Sequence, residues 1–154
     1  MLLLLVLALV GLVTATQTRT DSRVTGNTVD RAIAFQAAEA ALREAESKLM
    51  LPNPVNVIRE DIGFYAPTEQ PPLDFRLWTD ENSYEADADI PGIAAKPRYV
   101  IQQLGLETVP VGELSTGIVY HALEHCLYRV TAAAVGRSGL TLVVLQTTFR
   151  PPTP

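Results

Sequence analysis

This 154-residue chain has few of the residues from which a catalytic or nucleic-acid-binding site is built. It has two histidines and one cysteine, Cys126, and its twelve lysines and arginines form no basic run. A single cysteine cannot close an internal disulfide, and a nucleic-acid footprint requires clustered basic residues. A phosphate-binding glycine loop and a nucleophile motif are also missing. We therefore expect no catalytic residue, no cofactor and no nucleic-acid partner.

The first eighteen residues have no charged side chain, because the first charge is Arg19. As a helix they would span roughly 27 Å, just under the hydrocarbon core of a bilayer. A cleavable secretory signal is disfavoured, since Met1 leads directly into four leucines without a positively charged region before them. A retained membrane anchor, or a chain whose short basic leader has been removed, agrees better with this pattern.

A segment poor in helix formers follows the apolar run. Four threonines lie between Thr14 and Thr20, and a glycine–asparagine pair follows at Gly26 and Asn27. Threonine loses side-chain freedom in a helix, and glycine costs about 1 kcal/mol relative to alanine. The sequence therefore predicts a weak joint between Gly11 and Asn27, with Asn27 capping a new helix. The joint separates a hydrophobic segment, residues 1–27, from a globular domain, residues 28–154.

The clearest helix signal extends from residue 28 to residue 51 and is ended by Pro52. Its apolar side chains recur at spacings of three and four residues, which places them on one face. They are Phe35, Ala38, Leu42, Ala45 and Leu49. We expect this stripe to pack the helix against the rest of the domain.

A sheet is predicted in residues 97–150, after a loop region rich in proline and acidic residues at 52–96. The loop region has one short predicted strand near Phe75–Trp78. The predicted strands of the sheet are 98–104, 126–135 and 140–149, and Gly136–Gly139 join the last two as a hairpin. The helix supplies the cover that one face of this sheet needs. The predicted fold is α+β: a long N-terminal helix with an apolar first half, packed on an antiparallel sheet of three to four strands.

One motif has the spacing of a zinc enzyme. His121, Glu124 and His125 match the H-x-x-E-H pattern, in which two histidines on a helix bind zinc and the glutamate activates water. A catalytic site needs a third protein ligand, and the chain has no other histidine. The segment before the strand at Cys126 is also short for a helix. We predict a surface turn here and no metal site.

The segment between residues 59 and 89 is acidic, with nine acidic side chains and two arginines. Calcium ligands are available at Asp80, Asn82, Asp87 and Asp89. Their order does not follow the D-x-[DN]-x-[DN]-G loop of EF-hand proteins. A solvated acidic surface is expected, and calcium binding by this loop is left open as an alternative.

The segment TGNTVDRAIAFQAAEAALREAE, Thr25–Glu46, resembles the N-terminal region of PilX-type minor pilins of Gram-negative type IV pili. The matching residues are Gly26, Asn27, Arg31, Ala34–Arg43, Ala45 and Glu46. Shorter resemblances to strands of that family occur at Pro97–Ile101, Tyr128–Thr131, Gly136–Gly139 and Val143–Gln146. Together they cover most of the chain outside residues 52–95 and 105–125.

The resemblance implies a structural, pilin-like protein and not an enzyme. Such a protein is made with a short basic leader, cut by a prepilin peptidase and N-methylated at its new first residue, here Met1. Its helix would span the inner membrane once before assembly. In the extracellular pilus the same helix would contact other pilin subunits, delivered by the assembly machinery. Leu5 departs from the pattern, because most pilins have a glutamate at that position.

The function expected from the resemblance is a minor pilin that promotes pilus assembly, and so adhesion, aggregation or twitching motility. A type II secretion pseudopilin and the principal subunit of a filament are alternatives of the same structural kind. An alternative of another class is a membrane-tethered periplasmic domain that binds a ligand or calcium.

Overall fold

The computed structural model describes the backbone of residues 2–50, 62–111 and 121–151, and the side chains of residues 21–50, 62–105 and 126–151. One helix, α1, extends over Leu2–Leu49. The strands are β1 (Phe64–Tyr65), β2 (Tyr84–Glu85), β3 (Arg98–Val111), β4 (His121–Val135) and β5 (Leu142–Phe149). The α+β class is confirmed, and so is the hairpin of the last two strands, which pair antiparallel from Val135 opposite Leu142.

The sheet is mixed, which corrects the prediction of a purely antiparallel one. Its order is β1-β3-β4-β5, and β1 runs parallel to β3 with Phe64 opposite Ile101. β2 pairs antiparallel with β3, with Tyr84 opposite Tyr99. A parallel pair requires a long connection, and residues 66–97 supply it. Strands of two residues have no periodicity to detect, so this region was predicted as loop.

β3 and β4 are longer than predicted, because the chain passes a glycine without leaving the sheet. The register between these strands shifts between Gln103 and Gly105, and Gly105 has a φ of 137°. Only glycine adopts this conformation readily, so a bulge forms and pairing continues to Val111 opposite His121. The predicted end of the strand at residue 104 is therefore wrong.

Two further local predictions are wrong. The backbone of residues 121–125 is the start of β4 and not a surface turn, because it pairs with the extended end of β3. The strand predicted near residue 75 is a short 3-10 helix, Phe75–Leu77. The Asp74 carboxylate caps it by accepting a hydrogen bond from the Arg76 N–H at 3.0 Å, a turn that competes with strand geometry.

α1 packs an alanine-rich face on the sheet. The helix residues that are fully buried are Ala34, Ala37, Ala38, Ala41, Ala45 and Leu49. They meet the larger side chains of β3 and β4, among them Tyr99, Ile101 and Tyr128. Because an alanine side chain is a single methyl group, the helix backbone lies close to the strands, and the strand residues fill the remaining volume.

The buried face differs at one position from the stripe expected from the sequence. Ala38, Ala45 and Leu49 lie in the core, and Leu42 packs at its margin. Phe35 is 47% exposed and lies outside the core clusters. Ala34 is fully buried instead of its neighbour Phe35, because a single methyl group fits where the helix lies close to the strands.

The opposite face of the sheet is covered by the segment between β1 and β2. Trp78 is buried there against Val100 and Ala133, and its ring meets the Phe75 ring edge-on at 5.0 Å between centroids. The indole N–H of Trp78 donates to the Pro72 carbonyl oxygen at 3.0 Å, which satisfies its one polar atom. The sheet is thus a central layer between a helix and a loop.

Two substitutions distinguish the observed helix face from the expected stripe. Leu49→Ala is expected to lower the free energy of unfolding by about 2–5 kcal/mol, because it empties a buried site. Phe35→Ala is expected to lower it by less than about 1 kcal/mol, since much of this ring is already in solvent. Urea unfolding followed by tryptophan fluorescence measures both values. Equal losses in the two variants would contradict the assignment of the buried face.

Candidate functional site: the projecting helix and its attachment to the domain

The first part of α1 projects beyond the sheet. The 48-residue helix is about 72 Å long, and the part packed from Ala34 to Leu49 accounts for about 24 Å of it. Residues 21–29 are all exposed. In the part of the projecting helix whose side chains are described, residues 21–29, the surface is therefore not covered by this domain.

Large apolar side chains lie exposed on the described part of the projecting helix and at the start of the packed part. Val24 is 59% exposed, Val29 is 51% exposed and Phe35 is 47% exposed. Val24 and Phe35 are separated by about three helical turns, so both lie on one side of the helix. A single exposed apolar residue is ordinary. These side chains give the exposed surface of the helix separate apolar contact points, with Thr28 and Arg31 between Val24 and Phe35 on the same side.

Asp30 attaches the helix to the β4–β5 turn where the helix leaves the domain. Its carboxylate accepts hydrogen bonds from the Ser138 backbone N–H, at 2.9 Å, and from the Ser138 hydroxyl, at 2.7 Å. The pKa of Asp30 is lowered from its ordinary 3.8 to about 2. The largest cause is a hydrogen bond from the Thr141 side chain, and the hydrogen bonds from Ser138 come next. Donors that bind the ionised form favour it. Asp30 is therefore an anion at neutral pH.

Gly136 allows the turn to come this close to the helix. A Cβ atom at Gly136 would lie 2.6 Å from both Cγ and Oδ1 of Asp30, which is shorter than real contacts. The turn itself closes through a hydrogen bond from the Gly136 N–H to the Thr141 carbonyl oxygen at 2.9 Å. A glycine is thus required at this position by the close approach of the helix.

Glu44 attaches the other end of the packed helix. Its carboxylate accepts hydrogen bonds from the Tyr99 hydroxyl, at 3.0 Å, and from the Asp87 N–H, at 2.9 Å. Burial, and secondly the negative charge of Glu44, raise the pKa of Tyr99. The hydroxyl therefore stays protonated and donates a hydrogen bond to Glu44. The Lys48 ammonium lies 4.7 Å and 5.2 Å from the ring centroids of Tyr84 and Tyr99. The packed helix is therefore held by a carboxylate near each end.

The residues of the predicted joint lie inside a continuous helix. α1 passes through Gly11, Gly26 and Asn27 without interruption, so no helix begins at Asn27. A Cβ atom at Gly26 would meet nothing within 4 Å, which means that no neighbour requires a glycine there. The weakness of this joint stays a prediction, and Met1, the predicted site of methylation, lies outside the described residues. In the part of the chain that is described, no helix is both long enough and apolar enough to cross a membrane.

The backbone of the H-x-x-E-H segment is extended. His121, Glu124 and His125 lie on β4, and their side chains are outside the described ones. The zinc motif depends on a helix, in which histidines four residues apart share a face. The chain does not provide that backbone.

The acidic segment forms ion pairs and turns. Arg98 pairs with Asp80 and with Glu85, and Lys96 pairs with Glu85 at 3.0 Å. The Asn82 side chain accepts a hydrogen bond from the Thr79 N–H at 2.8 Å. Among the residues with described side chains, no group of three or more histidine, cysteine or acidic residues is placed to hold a metal ion.

Neither attachment of the helix was predicted from the sequence. Glu44 also pairs with Lys48 one helical turn away, at 3.7 Å, but the partners that attach Asp30 and Glu44 to the domain are 108 and 55 residues away in the chain. The only local sign of the attachment at Asp30 was the pair of glycines on both sides of Arg137–Ser138, because a turn with glycines can approach another element closely.

Comparison with protein families finds a match over most of the chain. The family described as "Type IV pilus assembly protein PilX C-term" matches residues 11–151. No curated protein and no solved structure matches the chain. The matched range includes the packed part of α1, all five strands and both carboxylates that attach the helix.

Asp30→Asn tests the attachment at the β4–β5 turn. The pKa of this carboxyl is lower in the folded chain than its ordinary 3.8, so its stabilisation is present above pH 3.8 and is lost as the pH falls towards 2. The variant is therefore expected to have a lower Tm than the parent at pH 7, with the difference shrinking near pH 2. Asp21→Asn, on an exposed site of the same helix, should leave Tm unchanged. A difference that does not vary with pH, or an equal effect at Asp21, would contradict this role.

Proposed function

The chain belongs to the PilX family of type IV pilus assembly proteins, and from this membership we propose that it is a minor pilin that promotes assembly of the pilus. The family is a structural component of pili and is not known as an enzyme family. Membership also indicates a location at the pilus or the cell envelope. The adhesion, aggregation or twitching motility that depend on pili would follow from the assembly role.

The observation that carries the proposal is the projecting helix. A subunit of a filament needs an element that leaves its own domain and buries surface against its neighbours. Val24, Val29 and Phe35 supply exposed apolar surface on such an element. Burial of this surface between subunits would stabilise the assembly by about 25 cal/mol per Å². The other pilin subunits are therefore the proposed partners of the helix.

The attachments at Asp30 and Glu44 support the same role. A filament subunit must transmit force between its helix and its domain, and a helix that could slide along the sheet would not do so. The two carboxylates are separated by about 21 Å along the helix axis and bind different parts of the domain. Together they hinder sliding and rotation of the helix on the sheet.

Before assembly, we propose, residues 1–18 hold the protein in the inner membrane as a single span. The support is the sequence, which has no charged side chain before Arg19. On assembly into the extracellular pilus, the helices of neighbouring subunits would replace lipid around this segment, where close fit between helices determines stability. The resemblance to pilins further implies cleavage by a prepilin peptidase, methylation of Met1 and delivery by the assembly machinery.

Phe35→Ala separates assembly from folding. The stability of the variant should be nearly that of the parent, because the ring is 47% exposed. Its recovery in sheared pili is expected to fall about fivefold, the effect of losing roughly 1 kcal/mol at an interface. Immunoblots of the sheared and whole-cell fractions measure this ratio. Arg43→Ala, at an exposed position lower on the helix, is the control, and normal recovery of Phe35→Ala would count against the helix contact.

Deletion of the protein tests the function itself. A deletion strain should have fewer surface pili than its parent, and the plasmid-borne gene should restore them. Immunolabelling should find the protein at few positions in the pilus, whereas dense labelling along its length would indicate the principal subunit. The mass of the native N-terminal peptide should show methylated Met1. An unmodified start, or a cut near residue 16, would instead favour a tethered periplasmic domain.

A further inference from the structure

A cavity of about 220 Å³ lies on the face of the sheet opposite α1. Its wall belongs to the loop that covers this face and includes the rings of Phe75 and Trp78. Its floor is formed by strand residues that point away from the helix, Val100 and four polar ones: Gln102, Arg129, Thr131 and Gln146. The cavity therefore combines an aromatic wall with a floor that carries one cation.

The hydrogen bonds within the floor leave donors available. The Gln102 side-chain N–H donates to the Glu69 carbonyl oxygen at 2.8 Å, and the Gln146 side-chain N–H donates to the Thr131 hydroxyl oxygen at 2.9 Å. Since the Thr131 oxygen already accepts this bond, the Thr131 hydroxyl retains its own proton for a further acceptor. Among the residues with described side chains, the Arg129 guanidinium makes one hydrogen bond, a long one of 3.4 Å to the Gln102 side-chain oxygen. A guanidinium has five N–H donors, so most of those of Arg129 are unused within the described structure.

Arg129 also has no countercharge among the residues whose side chains are described. Of the four acidic side chains between β1 and β2, Asp80 pairs with Arg98, and two others accept hydrogen bonds from backbone N–H groups of the same loop. Glu69 accepts from the Ala66 N–H at 3.1 Å, and Asp74 accepts from the Arg76 N–H at 3.0 Å. A half-buried cation on the floor of a cavity, with unused donors beside it, selects for an anion.

We propose that this cavity binds a small organic carboxylate. The carboxylate would accept hydrogen bonds from Arg129 and Thr131, and the apolar part of the molecule would lie against Phe75 and Trp78. The planar guanidinium matches a carboxylate by two parallel hydrogen bonds. The cavity is smaller than the roughly 300–1,000 Å³ of sites for drug-sized ligands, so its ligand has about the size of one amino-acid side chain. This site lies apart from the helix and does not depend on the proposed role in the pilus.

The tryptophan in the wall makes the test direct, because Trp78 is the only tryptophan of the chain. The full-length protein in detergent is titrated with phenylacetate, and its neutral isostere phenylacetamide is the matched control. Phenylacetate is expected to change the fluorescence of Trp78 in a saturable way, and phenylacetamide to bind at least about tenfold more weakly. A response that does not saturate, or equal binding of the two compounds, overturns the proposal. Because this comparison uses the parent protein, it needs no variant to fold.

Two variants identify the residue that binds the carboxylate. Arg129→Gln is expected to weaken phenylacetate binding about tenfold, while Arg43→Gln, on the opposite side of the sheet, should leave it unchanged. Circular dichroism establishes that both variants fold. Unchanged binding by folded Arg129→Gln overturns the assignment. Displacement of phenylacetate by an equal concentration of inorganic phosphate would overturn the claim that the aromatic wall contributes to binding, because the site would then recognise only charge.

Discussion

The close contact between the alanine face of α1 and the sheet is the constraint on which the rest of the structure depends. Five alanines and Leu49 lie fully buried at this contact, against large side chains from β3 and β4. Small side chains let the helix backbone approach the strands. Only at this distance can Asp30 reach the Ser138 turn and Glu44 reach the Tyr99 hydroxyl. Bulkier residues on the helix face would separate both pairs.

This contact divides one continuous helix into two environments. From Ala34 to Leu49 the helix is part of the domain core, whereas the side chains of residues 21–29, which precede this part in the chain, are exposed. Asp30 lies at the boundary and fixes the point at which the helix leaves the domain. The exposed apolar residues Val24 and Phe35 then lie on a helix whose direction is set by the core. Such an arrangement suits a member of a pilus assembly family, because neighbouring subunits can bury what the single chain exposes.

The two faces of the sheet have different chemistry because successive side chains of a strand alternate between them. On β4, Tyr128 and Val130 pack under the helix, whereas Arg129 and Thr131 face the covering loop. The helix face is apolar and tightly filled. The loop face contains buried Trp78 together with polar strand residues, and it leaves a cavity. Attachment of the helix and binding at the cavity are therefore separate properties of the same strands.

The sequence by itself determined the features that depend on neighbours along the chain. A helix with apolar residues three and four apart, a hairpin around Gly136–Gly139 and the resemblance to pilins were all readable locally. Only the tertiary structure decided that Phe35 faces solvent, that Gly105 forms a bulge within β3, and that Asp30 binds Ser138. These outcomes depend on how close α1 lies to the sheet and on which strands pair. Such distances are set by residues far apart in the chain, and the glycines around Arg137–Ser138 were the only local sign of them.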